Sequence, residues 1–313
     1  MRKLKKAVEI CAALLSAVLI FSGCGAEENN SSASSAYASG GHRATRTEYL
    51  LPEASGTAVS RGESYVVDYS NTSDGYIMVS YSGGAEKTKA QITQPDGVTY
   101  TYTVYPSSEY VTLPLTGGSG KYGVALLEHA FDDNYGFLAN LTISADAVDE
   151  FLPFLYPNQY VWYEQGYETV AFAAGLSDES EDDLAFVTEV YRYIIENITY
   201  DKEAAENVSA GYVPNVEATL ATGKGICFDY ASLMAAMLRS QGVPTRLQVG
   251  YSGSAYHAWI SVYLEETGWV DNVIEFDGES WSLMDPTLAA GNNAKSVKNY
   301  VGDGSNYIVK YSY

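Results

Sequence analysis

The chain of 313 residues is long enough for two domains of ordinary size, each with its own core. Apolar residues make up 46% of it and charged residues 18%, a globular composition that excludes a chain disordered throughout. The net charge of −21 at pH 7 argues against nucleic acid and anionic lipid as partners and is compatible with cationic or neutral ones.

The first 23 residues have the pattern of a secretory signal peptide. Four of the first six are basic, and the apolar run from Ile10 to Phe21 is shorter than the ~20 residues of a membrane-spanning helix. The segment ends in Ser22-Gly23-Cys24, which resembles the bacterial lipobox except at Phe21, where Leu is usual. The resemblance implies that Cys24 is lipidated and anchors an extracytoplasmic protein to the cell membrane. The alternative is a plain signal peptide cleaved near Ala26.

Only one of the three cysteines is expected to remain as a thiol in the mature chain. Of the three, Cys11 leaves with the signal peptide and Cys24 is expected to carry lipid, so Cys227 remains without a partner for an intrachain disulfide. Loss of residues 1–23 also removes four basic residues and Glu9. The mature chain then has 14 Lys and Arg against 38 Asp and Glu, a net charge of −24.

Residues 24–47 and 48–147 differ in composition, and we expect a flexible tether followed by an all-β domain. The tether is rich in Ser, Ala, Asn and Gly and has no periodicity. In the second region the alternating runs Thr88–Gln94 and Val98–Tyr105 predict strands, and Pro95-Asp96-Gly97 predicts the turn between them. Short strands at this spacing predict a small β-sandwich. We expect its many tyrosines at half-buried positions rather than as a carbohydrate-stacking surface.

Residues 148–313 combine helical and strand patterns, which predicts a second domain of the α+β class. Ser180-Glu-Asp-Asp183 has the spacing of a capping box and predicts a helix start, because apolar residues then recur at helical spacing from Leu184 to Ile198. His42 in the tether and His129 in the β-domain belong to no recognisable motif. We expect neither to act in catalysis.

The stretch Gly223–Arg246 carries the remaining thiol at the start of another predicted helix. Gly223 and Gly225 permit a sharp turn into this helix, and Gly242 ends it. Cys227 then lies in the first turn, where unpaired amides and the helix dipole favour the thiolate, which is the nucleophilic form. Taken alone, a cysteine at this position is equally an inert core residue.

Two further residues favour the interpretation of Cys227 as a nucleophile. His257 follows it by 30 residues (257 − 227) at the start of a predicted strand. Asp285 follows by another 28 (285 − 257), after a short apolar run that we expect to pair with that strand. Together the three supply the nucleophile, the base and the orienting carboxylate of acyl-transfer catalysis. Asp271 is the rival of Asp285 for the last role.

This combination of motifs resembles the transglutaminase-like superfamily of papain-type cysteine enzymes. The resemblance covers residues 160–290 and rests on Gly-Ile-Cys-Phe-Asp-Tyr-Ala around Cys227, on His257-Ala-Trp and on Asp285-Pro-Thr. It implies a papain-like α+β core in which the Cys helix packs on a small antiparallel sheet. It also implies the triad roles of nucleophile, base and orienter for these three residues. The residues after Asp285 fit the family pattern, and those after Asp271 do not.

Acyl transfer also needs donors for the oxyanion that forms on the attacked carbonyl. The backbone N–H of Cys227 is one expected donor. The resemblance implies a second donor from an upstream side chain, and Tyr200 in Ile198-Thr-Tyr-Asp201 is the candidate. Tyr212 and Tyr163 are its rivals.

The sequence therefore predicts an extracytoplasmic enzyme that transfers the acyl group of a peptide or glutamine-type amide to a cysteine. Hydrolysis, as in a peptidase or amidase, is favoured over protein cross-linking by a transglutaminase. A surface-binding lipoprotein with a non-catalytic domain is an alternative of another class, against which the complete triad argues. Three scattered histidines form no ligand cluster, so we expect no metal ligands and no cofactor. The sequence has no evident acidic loop, but it is acidic enough that calcium dependence stays open. The expected partners are a protein or peptide substrate at the cell envelope and the membrane, with no nucleic acid.

Overall fold

Eight strands that follow the N-terminal segment build two antiparallel sheets. The computed structural model describes residues 43–132, 134–252, 254–276, 281–283 and 307–313. The strands are β1 (Val59–Arg61), β2 (Tyr65–Asp68), β3 (Tyr76–Tyr81), β4 (Thr88–Thr93), β5 (Thr99–Val104), β6 (Ser107–Pro114), β7 (Gly120–Phe131) and β8 (Asn134–Ala145). The first sheet has the order β1-β2-β3-β6 and the second the order β5-β4-β7-β8. The sheet-rich N-terminal region predicted from the sequence is confirmed.

The alternation of the sequence places the buried face of these strands. In β4, every second residue from Thr88 to Ile92 is buried, and the residues between them are half-buried. The predicted turn into β5 forms because Gly97 adopts φ +89. The carboxylate of Asp96 supports this turn by accepting the N–H of Val98 at 2.9 Å.

Several tyrosines of this region are fully buried. Tyr81, Tyr102 and Tyr122 are each 0% exposed. The hydroxyl of Tyr81 donates to the carboxylate of Glu128, and the hydroxyl of Tyr122 donates to the carbonyl of Gly118 at 2.6 Å. The expectation of half-buried rings is wrong for these three, because their rings belong to the hydrophobic core.

The middle of the chain is helical, and one helix lies at its centre. Its elements are α1 (Glu168–Asp178), α2 (Asp183–Asn197), β9 (Thr199–Tyr200), α3 (Lys202–Asn207), α4 (Val216–Thr222), β10 (Lys224–Gly225) and α5 (Cys227–Ser240). Every residue of α5 from Asp229 onward is buried, and α1, α2 and α4 pack against it. Gly242, with φ +82, follows its end as predicted.

The start of α2 differs from the predicted capping box. The N-cap is Asp182, whose carboxylate accepts the N–H of Ala185 at 2.8 Å. Ser180 instead donates its hydroxyl to the carbonyl of Leu176 at 2.7 Å, at the end of α1. Both residue types favour the N-cap position, so the sequence did not distinguish them.

A third antiparallel sheet packs on α5. Its strands are β11 (Thr245–Ser252), β12 (Ala255–Leu264), β13 (Gly268–Phe276), β14 (Trp281–Leu283) and β15 (Tyr307–Ser312), in the order β14-β13-β12-β11-β15. Strands β11 and β12 contact α5. Because β13 lies between β14 and β12, the apolar run before Asp285 does not pair with the strand of His257 as expected. The predicted α+β architecture, with the Cys helix on an antiparallel sheet, is confirmed.

The sheet-rich and helical regions share one hydrophobic core, and residues 41–313 form one compact unit. The ring of Tyr102 in β5 stacks on that of Tyr160 with centroids 5.7 Å apart and meets Tyr313 edge-on at 5.9 Å. Arg239 of α5, 1% exposed, donates to the carbonyl of Tyr313 at 2.7 Å. The expected boundary between residues 147 and 148 is therefore not a gap in the packing.

Residues 43–47 dock on the helical region, although the sequence places them in a flexible tether. The guanidinium of Arg43 donates to the carboxylate of Asp183 at 2.5 Å. It also donates to the hydroxyl of Ser177 and to the carbonyl of Gln241, both at 2.5 Å. The tether prediction is wrong at Arg43, whose partners are distant in sequence.

The signal peptide, Cys24, His42 and the rest of residues 1–42 lie outside the described residues. Within the part of the chain that the structure describes, no helix is both long and apolar enough to cross a membrane.

Candidate active site

Two glycines and one carboxylate fix the entry of the chain into α5. Gly223 ends α4 in the left-handed conformation, with φ +62. A Cβ at Gly225 would come within 2.6 Å of the Cβ of Asp229, so no side chain fits there. Asp229 in turn accepts the N–H of Ile226 at 2.8 Å, one of the amides left unpaired at a helix start. The spacing Gly-x-Gly-x-Cys-x-Asp is what this turn requires.

Cys227 is the first residue of α5, and it is partly exposed. Burial has the largest influence on the pKa of its thiol and raises it. Hydrogen bonds from the backbone N–H groups of Ala258, Phe228 and Cys227 itself lower this pKa, and the negative charge of Asp229 raises it. The sequence predicted the lowering by helix amides but not the larger effect of burial. A thiolate here therefore needs a nearby group to take the proton.

His257 lies on β12 at the same junction as the thiol. The Cys227 thiol contacts the backbone N–H of Ala258, the residue that follows His257. His257 is 8% exposed, and its ring stacks on that of Trp259 with centroids 6.3 Å apart. Trp259 is itself fixed, because its Nε1–H donates to the side-chain oxygen of Gln248 at 2.7 Å. The histidine is thus buried beside a tryptophan whose position is fixed by a hydrogen bond.

The structure describes one of the two candidates for the orienting carboxylate, Asp271, but not the other, Asp285. Asp285 lies outside the described residues, so its role stays a prediction. Asp271 of β13 accepts the hydroxyl of Ser261 at 2.8 Å. Burial lowers the pKa of the Arg246 guanidinium, and the nearby Asp271 carboxylate partly offsets this effect. Ser261 is four residues beyond His257 on β12, about 13 Å along the strand. The bond to Ser261 therefore holds the Asp271 carboxylate well away from the start of β12.

Of the three tyrosines considered for the oxyanion hole, Tyr200 lies beside the Cys227 thiol. Burial raises the pKa of Tyr200, the charge of the Cys227 thiolate raises it further, and a hydrogen bond from the Cys227 N–H lowers it. Tyr212 instead donates to Asp229 at 2.7 Å. Tyr163 is 0% exposed and donates to a backbone carbonyl in the core at 2.5 Å. Only the Tyr200 hydroxyl lies at the amide that is expected to bind the oxyanion.

The position of Tyr200 follows from a short parallel strand pair. Strand β9 pairs with β10, and Tyr200 lies opposite Gly225, two residues before Cys227. The N–H of Asp201 donates to the carbonyl of Gly225 at 2.9 Å and closes this pair. The pairing of β9 with the entry turn of α5 thus holds Tyr200 beside the Cys227 thiol.

Sequence reasoning missed two groups of the site. Asp229 is 4% exposed; burial raises the pKa of its carboxyl, and hydrogen bonds from Ile226 and Tyr212 lower it. Its position three residues after the N-cap was the available signal, because acidic residues there cap the helix start. The amide of Ala258 had no sequence signal, because it reaches the thiol only through the packing of β12 on α5.

The remaining predictions concern metals and the other histidine. Among the described residues, no group of three or more His, Cys, Asp or Glu side chains is placed to hold a metal ion. The Nε2 of His129 lies 2.7 Å from the carbonyl oxygen of Asp132, near the tip of the β7–β8 hairpin.

Comparisons with known proteins place this site within one family. Residues 170–272 match the model of the transglutaminase-like superfamily. A Bacillus subtilis (strain 168) protein, YebA, is 29% identical over 98 residues, which are 26% of this chain and 12% of YebA. The chain thus spans about an eighth of the length of that relative.

Two solved structures are similar at low identity. One, from Cytophaga hutchinsonii, is described as a "Putative Cysteine Protease" and has a TM-score of 0.35 at 15% identity, over 68% of this chain and 67% of its own. The other is red sea bream transglutaminase, with a TM-score of 0.33 at 12% identity, over 72% of this chain and 53% of its own. The family assignment rests on the match of residues 170–272, which include Cys227 and His257. These residues therefore form a domain of the transglutaminase-like superfamily, preceded in this chain by a sheet-rich region.

Proposed function

We propose that this protein is a cysteine-dependent acyl-transfer enzyme acting on peptide or glutamine-type amides, with hydrolysis as the favoured outcome. The environment of Cys227 carries the proposal. The residue is partly exposed and begins a buried helix. Its thiol contacts the backbone amide of Ala258, the residue after His257. An inert core cysteine needs none of these three features, whereas access, a helix start and a nearby histidine all favour a nucleophilic thiol.

In the proposed reaction, His257 takes the proton of the Cys227 thiol, and the sulfur attacks the amide carbonyl. The carbon–nitrogen bond breaks as His257 returns the proton to the leaving amine or ammonia, and an acyl-enzyme remains on sulfur. A water molecule deprotonated by His257 then attacks the thioester. The carbon–sulfur bond breaks, the acid is released, and the proton returns from His257 to the Cys227 sulfur. An amine in place of water gives the cross-linked product.

Two groups are proposed to stabilise the negative charge on the attacked oxygen. The Cys227 N–H donates to the hydroxyl oxygen of Tyr200. When the substrate binds, this amide and the Tyr200 hydroxyl both donate a hydrogen bond to the oxygen of the attacked carbonyl. Donors placed in advance at such a position supply a large part of the rate in acyl transfer. Asp285 is proposed to orient the imidazole.

Trapping the acyl-enzyme tests this proposal. Full-length protein is mixed with glutaminyl peptides, quenched in acid and examined by mass spectrometry for an adduct on Cys227. We expect an adduct in the wild type, none in Cys227→Ala, and a greatly reduced yield in His257→Ala. Asp285→Ala should lose activity and Asp271→Ala should keep it; the reverse would reassign the orienter. No adduct, together with a thiol that alkylates no faster than free cysteine, would favour the binding-protein alternative.

The fate of the acyl group separates hydrolysis from cross-linking. A fluorescent primary amine is added at increasing concentration while free acid and amide product are quantified. A peptidase or amidase releases mainly acid at every amine concentration. Amide as the main product at low amine concentration would make cross-linking the function.

We further propose that the mature protein is held at the membrane, outside the cytoplasm, by lipid on Cys24. The support is the segment Ser22-Gly23-Cys24 behind a basic and apolar start. The mature protein should partition into detergent and carry lipid mass on Cys24, and Cys24→Ser should abolish both. A mature N-terminus at Ala26 without lipid would contradict the proposal.

A further inference from the structure

We infer that the surface formed by Tyr251, Tyr256 and Ile308, which we call the aromatic wall, binds an aromatic or aliphatic side chain of the substrate peptide. That side chain lies one or two residues from the amide that Cys227 attacks. The inference rests on the proposed function and adds the class of acyl donor.

The aromatic wall lies on the face of the sheet that carries the nucleophile. Ala258 and Ile260 of β12 are 5% and 0% exposed in the core formed with α5, and the amide of Ala258 contacts the thiol. Side chains two residues apart on a strand share a face and lie about 7 Å apart. Tyr256 therefore continues this face just beyond the N-terminal end of α5, where Cys227 lies.

The three members of the wall form a row across three strands. Tyr251 is the register partner of Tyr256 on one side and of Ile308 on the other. The two tyrosine rings meet at 5.4 Å and 66°. Tyr256 is 59% exposed, Ile308 55% and Tyr251 39%, although residues of this size are usually more buried.

Aromatic rings also connect the wall to the nucleophile. Burial raises the pKa of Tyr160 most, and the nearby hydroxyl of Tyr256 raises it further. The ring of Tyr160 lies 5.3 Å from that of Phe228, the residue after Cys227. The buried ring of Tyr160 thus lies near both the wall and the residue that follows Cys227.

The distance and the chemistry select the occupant. Consecutive Cα atoms of a peptide are 3.8 Å apart, so a side chain one or two residues from the attacked amide reaches about 4–8 Å along the chain. Tyr256 lies two residues before Ala258, whose amide contacts the thiol, and is therefore about 7 Å along the strand from that contact. None of its three side chains is charged, so a charged substrate residue would gain no ion pair there, whereas an aromatic or aliphatic one buries apolar surface.

Three haloacetamide probes test the wall without a known substrate. Iodoacetamide, its N-benzyl derivative and its N-(2,3-dihydroxypropyl) derivative all alkylate the Cys227 sulfur, which displaces iodide while the thiol proton passes to His257 or solvent. Each rate is divided by the rate of the same probe with glutathione. We expect the benzyl probe to exceed the dihydroxypropyl probe by roughly 3- to 10-fold, the range of one aromatic contact.

Matched variants assign this preference to the wall. Tyr256→Ala and Tyr251→Ala should each reduce the benzyl preference towards one and leave the iodoacetamide rate unchanged. Tyr256→Phe keeps the ring and should keep the preference. Phe137→Ala, at a side chain 67% exposed on β8, is the control for loss of an exposed aromatic ring.

A benzyl preference near one in the wild type, or one that Tyr256→Ala leaves unchanged, overturns the inference. A slow iodoacetamide reaction that still shows the preference supports the wall but contradicts the proposed nucleophile. The two proposals therefore fail in distinguishable ways.

Discussion

The hydroxyl of Tyr212 donates a hydrogen bond of 2.7 Å to Oδ1 of Asp229. The other carboxylate oxygen of Asp229 accepts the N–H of Ile226 at 2.8 Å, at the start of the Cys helix. One buried carboxylate thus joins the segment after α3 to the turn that carries Cys227. It also disfavours the thiolate, since its charge raises the pKa of Cys227.

We predict that Asp229→Ala destabilises the protein by about 2–3 kcal/mol, because a buried amide loses its partner and the packing against Gly225 is lost. Tyr212→Phe should cost about 1 kcal/mol, since Tyr212 is 37% exposed. Urea unfolding measures both. Tyr105→Phe, at a residue 50% exposed, is the control and should change little. Equal stabilities for the three variants would mean that the carboxylate does not hold the turn.

The pH dependence of alkylation should separate the effect of burial on the pKa of Cys227 from the effect of His257. Burial raises the pKa of Cys227, so the thiol alone is uncharged at neutral pH and its alkylation rate rises only in alkaline solution. An imidazolium beside the sulfur lowers this pKa by roughly 1–3 units. We predict that His257→Ala moves the alkylation profile at least about one pH unit to the alkaline side. His129→Ala, on the β7–β8 hairpin, should not move it. Identical profiles for wild type and His257→Ala would exclude an ion pair.

The contact between Tyr200 and Cys227 predicts that loss of the Tyr200 hydroxyl reduces kcat but not the alkylation rate of the thiol. Tyr200→Phe removes the hydroxyl at the oxyanion position and should reduce kcat by about 100-fold. The alkylation rate should stay within about twofold, because the amides that contact the thiol remain. Tyr212→Phe is the matched control and should keep most of kcat. If Tyr212→Phe loses more activity than Tyr200→Phe, the oxyanion donor is misassigned.

The elements governed by local pattern could be predicted from the sequence. Strands β4 and β5 follow from alternation and a Pro-Asp-Gly turn, and α5 follows from its glycines and apolar spacing. The family resemblance supplied Cys227 and His257 as candidate residues, and the structure brings them to the same junction of α5 and β12. The contact between the Ala258 amide and the Cys227 thiol could not be predicted, because it depends on how the sheet packs on the helix.

Packing between segments distant in sequence explains what the sequence analysis missed. Composition places a domain boundary near residue 148, but it does not show that β5 and the C-terminal strand share a core. It likewise assigns residues 43–47 to a tether, because the partners of Arg43 lie more than 130 residues away. Polar residues in such segments predict solvent exposure only when their partners are also local.

The shared core predicts that residues 148–313 do not fold alone. Removal of the sheet-rich region uncovers Tyr160 and Tyr313, which are 8% and 5% exposed and pack on Tyr102. The isolated fragment should bind a hydrophobic dye, lack a cooperative unfolding transition and show no enhanced Cys227 alkylation. The chain of residues 41–313 is the control. A fragment that unfolds cooperatively and keeps its thiol reactivity would restore the boundary expected from the sequence.

Arg43 should make the last part of the expected tether necessary for stability. Its side chain is 9% exposed, pairs with Asp183 and lies over the ring of Phe186 at 4.6 Å. Asp183 is 35% exposed, so solvent weakens the pair, and we predict that Arg43→Ala costs about 2–3 kcal/mol of unfolding free energy. Arg61→Ala, at an exposed arginine of β1, should cost less than about 0.5 kcal/mol.

Two truncations complete this test. A chain that begins at residue 41 should match the full mature chain in urea unfolding, and a chain that begins at residue 48 should lose at least as much as Arg43→Ala. Because Arg43 bonds to the end of α5 through the carbonyl of Gln241, the loss should also appear as faster hydrogen exchange in the last turn of that helix. Equal stability of both truncated chains would show that residues 43–47 only rest on the surface.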